Sequence, residues 1–116
     1  MDEAAKTQAG RALAGRKAAL ASLVSYSTGS VVSRTVINAK NGSVTLFAFD
    51  KGSELSEHTT PYDALLHVLE GEAQVTIGGN VNRVGQGEAM VLPAGRAHEV
   101  RAPRRFKMLL VMIRSG

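Results

Sequence analysis

From residue 30 onward, short β-branched and apolar runs alternate with turn residues at close spacing, the pattern of an all-β chain. Residues 31–37, 44–49, 55–60, 64–70, 73–77, 81–84, 89–92, 98–101 and 106–113 read as strands. Asn41-Gly42, Asp50-Lys51-Gly52 and Gly78-Gly79-Asn80 mark tight turns, and Pro61, Pro93 and Pro103 stop strands that a missing N–H could not continue. Many short strands joined by polar turns predict a sandwich or a closed barrel, and closure removes exposed edges. Along residues 44–49, Phe47 and Phe49 share one face while Leu46 and Ala48 share the other. Residues 108–113 are also apolar on both faces. Something is therefore expected to cover the outer face, which a second copy or the N-terminal segment would do, and a homodimer is expected.

That N-terminal segment has a different texture. Residues 3–24 are rich in Ala, Lys, Arg and Leu, which favour helix, and Gly10 and Gly15 weaken it. Leu13, Leu20, Leu23 and Val24 form a thin apolar stripe able to dock, with a frayed terminus as the equal alternative. The expected organisation is an N-terminal helical or flexible segment over residues 1–28 and one β-barrel over residues 29–116.

Composition narrows the function classes. Apolar residues make up 44% and charged residues 21% of 116, a balance that supports one folded core rather than disorder. There is no Cys, hence no disulfide and no thiolate metal site, which fits a reducing compartment. The longest apolar run, residues 108–113, falls far short of the roughly 18 residues of a membrane span. The opening Met-Asp-Glu and the charges at Arg11, Arg16 and Lys17 do not read as a signal peptide, so a cytoplasmic location is expected. The net charge of +4 is uneven: residues 96–116 carry six basic groups and one acidic. With aromatics at 4% and no stacking platform, the reading preferred over a nucleic-acid footprint is a solubilising rim.

Two stretches carry more than generic strand pattern. The first runs from Gly52 through His58, Thr60 and Ala64 to Gly71, closing on Val-Leu-Glu-Gly. The second runs from Gly87 through Pro93, Gly95 and His98 to Ala102. Ordered and separated by a hairpin, they resemble the two motifs of the cupins, over roughly residues 30–113. The resemblance implies a double-stranded β-helix, or jelly-roll, barrel with a pocket inside. It does not by itself choose a chemistry, because one fold hosts many.

The departures matter as much. Metal-binding cupins take His, His and Glu from the first motif and a further His from the second. Here Thr60 stands at the second His position, Ala64 at the Glu and Ala102 at the closing Asn. His58 and His98 remain, two imidazoles where catalytic metal sites keep three protein ligands. Strand alternation gives positions 58 and 60 a common face, inward in a small barrel. Asp63 precedes the lost Glu and points the other way unless a bulge redirects it; capping a turn is its alternative role. Tyr62 is placed at the pocket entrance, and His67 faces outward if Ala64 faces inward.

The candidate ligand pocket is thus His58, Thr60, Tyr62, Asp63 and His98, with His58 and His98 the metal candidates. The cofactor expectation is a divalent transition metal (Mn, Fe, Ni or Zn) or none. Three functions follow: a small-molecule-binding barrel with a reduced two-His site; a metal-dependent dioxygenase, isomerase or cyclase using His58 and His98; and a structural or interaction module with a filled pocket. No Gly-x-Ser-x-Gly elbow and no phosphate-binding Gly-rich loop occurs.

Overall fold

The computed structural model describes residues 13–114. Strands β1 (Val31–Ala39), β2 (Gly42–Phe49), β3 (Glu54–His58), β4 (Asp63–Glu70), β5 (Glu72–Ile77), β6 (Asn80–Gly85), β7 (Ala89–Leu92), β8 (His98–Arg101) and β9 (Phe106–Ile113) follow in chain order. They form two antiparallel sheets, a five-stranded one in the order β1-β2-β9-β4-β7 and a four-stranded one in the order β3-β8-β5-β6. This is the expected jelly-roll barrel. The strands match those read from the sequence, except that β3 stops at His58 and leaves Thr60 in a loop. Thr60 therefore shares no strand face with His58. Its hydroxyl donates to the Tyr62 carbonyl at 3.2 Å and accepts the Tyr62 N–H at 3.4 Å, a local turn ahead of β4.

The two sheets enclose one core. Leu66, Val68 and Met108 from the larger sheet face Ala73, Val75 and Val100 from the smaller. Phe49 and Phe106 stack at 4.4 Å where one end of the barrel closes. At that end Gly71 turns β4 into β5 at φ +77°, and an added Cβ would collide with the Arg105 carbonyl and lie 2.8 Å from the Phe106 Cα. Glycine is required there on both counts.

A second apolar cluster covers the outer face of the larger sheet. Leu46 and Ala48 are fully buried there, with Val36 and Val24. The covering element is the N-terminal segment: Leu13, Leu20, Leu23 and Tyr26 pack on it. The expected helix is reduced, among the described residues from Ala19 to Ser30, to a single 3-10 turn, Leu20–Leu23; residues 3–12 of that expectation lie outside the described residues. The turn's carbonyls are satisfied from the sheet below. Lys107 donates to Ala21 at 2.6 Å and Arg34 to Leu23 at 3.1 Å. Among the described residues no helix is long and apolar enough to cross a membrane.

Much of the C-terminal basic surplus is engaged within the fold. Arg101 lies 3.0 Å from both Glu54 and Glu99, Arg105 lies 2.7 Å from Asp50, and Lys107 holds the N-terminal segment.

Candidate functional site

The odd-numbered connections of the chain gather at one end of the barrel. The β3–β4 and β7–β8 loops meet through the Gly95 N–H on the Thr60 carbonyl at 2.8 Å. Ile113 pairs with both Asp63 and Gly42, and the Arg114 N–H reaches the Asn41 carbonyl at 2.8 Å. The opposite end is closed by Phe49 and Phe106, so this end is the mouth.

His58 and His98 stand here as cross-strand partners at the end of β3 and the start of β8. A bulge makes that possible. Leu55 pairs with Val100 and His58 with His98, so three residues of β3 span two of β8. Strict alternation would set Leu55 and His58 on opposite faces, and the extra residue at Ser56-Glu57 returns His58 to the face of the buried His98. The rings meet edge to face, centroids 4.5 Å apart at 68°. His98 is 5% exposed, whereas His58 is open to solvent.

Each ring is oriented by a backbone carbonyl two residues earlier. His58 Nδ1 lies 2.8 Å from the Ser56 oxygen and His98 Nδ1 3.2 Å from the Arg96 oxygen. A carbonyl only accepts, so each Nδ1 carries a proton, and in a neutral ring Nε2 is left as the acceptor. Burial holds the His98 pKa below the usual imidazole range; the bond to Arg96 opposes this and the neighbouring His58 adds to it. His98 is thus held neutral, the state in which an imidazole can accept a hydrogen bond or ligate.

The other expected site residues take different places. The Asp63 carboxylate accepts the Ala94 N–H at 2.9 Å, tying β4 to the Pro93–Gly95 turn. Ala64 is buried in the core and Asp63 is exposed, so no bulge redirects the acid inward. Tyr62 faces the β1–β2 turn. The Arg114 guanidinium lies 5.5 Å from the Tyr62 ring centroid, and Tyr62 lines a cavity of about 160 Å³ with Asn38, Lys40, Ser43 and Met112. His67 sits half-buried on the outer side of the larger sheet, paired with Leu109 and Ala89.

A divalent metal needs more than this pair. Among the described residues no group of three His, Cys, Asp or Glu comes together. The Thr60 hydroxyl and the Asp63 carboxylate are both engaged with backbone. Two imidazole acceptors therefore supply two positions of a coordination shell, and the residues present do not complete a catalytic metal site.

Asn38, Lys40, Ser43 and Arg114 were not singled out by sequence reasoning, which treats Asn41-Gly42 as a plain hairpin turn. A signal existed. In an antiparallel chain every second connection lies at the same end, so the β1–β2 turn belongs with the two motif loops.

Residues 45–113 match the Cupin domain family. A conserved protein of unknown function from Streptococcus pyogenes superposes with a TM-score of 0.80 at 35% identity, covering 84% of this chain and 85% of that one. A cupin superfamily protein from Desulfitobacterium hafniense superposes at 0.83 with 28% identity over 86% and 92%. An uncharacterised Streptomyces coelicolor protein is 33% identical over 63 residues, 54% of this chain, and the match spans about 60% of that protein's length. With two ordered motifs, the two-sheet barrel and a family match across more than half its length, this chain belongs to the cupin domain family.

Proposed function

We propose that the barrel is a small-molecule-binding module whose polar recognition is supplied by the reduced two-His site, His58 and His98. The observation that supports this is the pair itself: two imidazoles from separate strands, 4.5 Å apart, each with Nδ1 tied to a carbonyl. Two imidazoles oriented through Nδ1, one ring buried and one open to solvent, suit a ligand that brings donors to Nε2. Thr60 and Asp63 serve by holding the loops around the pair.

One alternative draws on the same atoms. Nδ1 bonded to a carbonyl is also how metal-ligating imidazoles are oriented. In that reading His58 and His98 hold a divalent transition metal with ligand or water in the remaining positions, and the protein is a metal-dependent enzyme.

The test begins with the metal content of protein purified without added metal. The binding module is expected to carry less than about a tenth of an ion per chain, unrestored by Mn, Fe, Ni or Zn. Near-stoichiometric metal lost in both His58→Ala and His98→Ala would replace it with the metal reading. Thermal-shift screening of small polar compounds follows. Hits should raise the Tm of the native protein and lose that effect in His58→Ala, whose exposed side chain can be removed without opening the core. Hits indifferent to both imidazoles would sink the proposal.

A further inference from the structure

The cavity beside Tyr62 differs in chemistry from the imidazole pair. It lies among the β1–β2 turn, the β3–β4 loop and the C-terminal end of β9, and is lined by the polar residues Asn38, Lys40, Ser43 and Tyr62 together with Ala39, Gly42 and Met112. Arg114 is not part of the lining, but its guanidinium stands 5.5 Å from the centroid of the lining Tyr62 ring. We propose that this cavity is a binding site for a small oxyanion, the carboxylate or phosphate head of a ligand, with Lys40 and Arg114 supplying charge and Ser43, Asn38 and Tyr62 supplying directional hydrogen bonds.

Among the described residues neither Lys40 nor Arg114 has a carboxylate within salt-bridge distance. Among the described residues no acidic residue lines the cavity, and Asp63, the nearest acid in sequence, is turned to the Ala94 N–H. The contrast with the hollow at the opposite end is direct. Glu54 and Arg101 line that one and neutralise each other at 3.0 Å. Of the two, the mouth cavity is the one lined by a cation, hydroxyls and an amide with no carboxylate among the described residues, the composition that oxyanions select.

Size and framing agree. About 160 Å³ is far above the roughly 10–15 Å³ that one water needs, and below the roughly 300–1,000 Å³ of pockets for drug-sized ligands. A head group of a few heavy atoms fits. The walls are tied: the Arg114 N–H is bonded to the Asn41 carbonyl, and Gly42 pairs with Ile113. Lys40 and Arg114 are exposed, so the attraction is screened by salt and binding of a bare head group is expected to be weak and salt-sensitive. The proposal shares Tyr62 with the expected ligand pocket and uses neither imidazole, so it and the two-His reading can fail separately.

Amide-detected NMR titration at low ionic strength tests it, with propionate and inorganic phosphate as probes and propionamide as the neutral control. Saturable shifts are expected at Ser43, Tyr62 and Arg114 with at least one anion, and which anion binds identifies the head group. Lys40→Gln and Arg114→Gln should each weaken binding about fivefold or more, being surface changes that leave the fold intact. His58→Ala should leave the affinity within about twofold. The proposal is overturned if neither anion binds, if Lys40→Gln and Arg114→Gln bind as the native protein does, if propionamide matches propionate, or if His58→Ala abolishes binding and so moves the anion to the imidazoles.

Discussion

His98 links sequence to behaviour through its surroundings on sheet and loop. It pairs with His58 on one side and Ile77 on the other, and its ring is buried with one proton held by the Arg96 carbonyl. Burial and the neighbouring His58 depress its pKa. The unfolded chain, with an imidazole near the ordinary value of about 6.5, then binds protons more readily than the fold does. The stability that neutral His98 preserves is complete above about pH 6.5 and is lost as the pH falls toward its folded value. In EDTA-treated protein the Tm is expected to drop between about pH 7.5 and pH 5, and His98→Gln should flatten that slope while His67→Gln should not. Equal slopes in all three would place the acid sensitivity elsewhere. At this scale the sequence was half legible. The spacing of the motifs singles out both imidazoles, and both stand at the mouth. What brings His58 inward is the bulge at Ser56-Glu57, and a bulge depends on the partner strand's register, which no local pattern in β3 displays.

The N-terminal segment shows the element scale at work. Its composition favours helix, yet between Arg16 and Ser30 the chain makes one 3-10 turn, Leu20–Leu23, whose carbonyls are taken by side chains of the sheet beneath. Lys107 and Arg34 take its carbonyls, and Tyr26 fastens its end. The Tyr26 hydroxyl donates to Glu70 at 2.7 Å while Arg105 and Lys107 lie 5.1 and 5.0 Å from its ring centroid. Burial first, and then the bond to Glu70, hold the phenol well above its usual pKa, so it stays a donor throughout the ordinary pH range. Tyr26→Phe keeps the ring and the cation contacts and removes that one bond. It should cost about 1–2 kcal/mol in urea unfolding, as a part-buried hydrogen bond to a charged acceptor does. A loss within about 0.3 kcal/mol would show that the apolar contacts alone hold the segment. The stripe Leu13, Leu20, Leu23 was legible as something that docks, and the two-sided apolar pattern of β2 was legible as a face needing cover. That the one answers the other was not, because helix-period reasoning assumes a regular element, and between Arg16 and Ser30 only Leu20–Leu23 forms one turn of helix.

For the whole molecule, that answer changes the argument for a homodimer. Leu46 and Ala48 are covered within the chain and no longer call for a partner. A different part of the same outer face still does. The register aligns Val44, Val111, Leu65 and Val91 in one row across β2, β9, β4 and β7, with Ile113 beside it. Leu65 is 41% exposed, Val91 55% and Ile113 60%. A straight apolar row on a sheet is self-complementary under a two-fold axis, and sheets packed face to face at about 10 Å interdigitate such rows. Each of these side chains contributes on the order of 1.5–3 kcal/mol when fully withdrawn from water, so the row duplicated on two copies outweighs the entropy of pairing only if most of it is covered at once. A second copy does that, whereas a lone contact at Ile113 would not. Light scattering at micromolar concentration is therefore expected to give the mass of a dimer. Leu65→Lys, at the centre of the row and with its own side chain already part-exposed, should give a monomer of nearly unchanged far-UV spectrum. A monomer mass for the native protein refutes the dimer outright. A dimer that survives Leu65→Lys moves the interface to the strand edges of β1 or β7, where backbone rather than apolar area would hold the copies together.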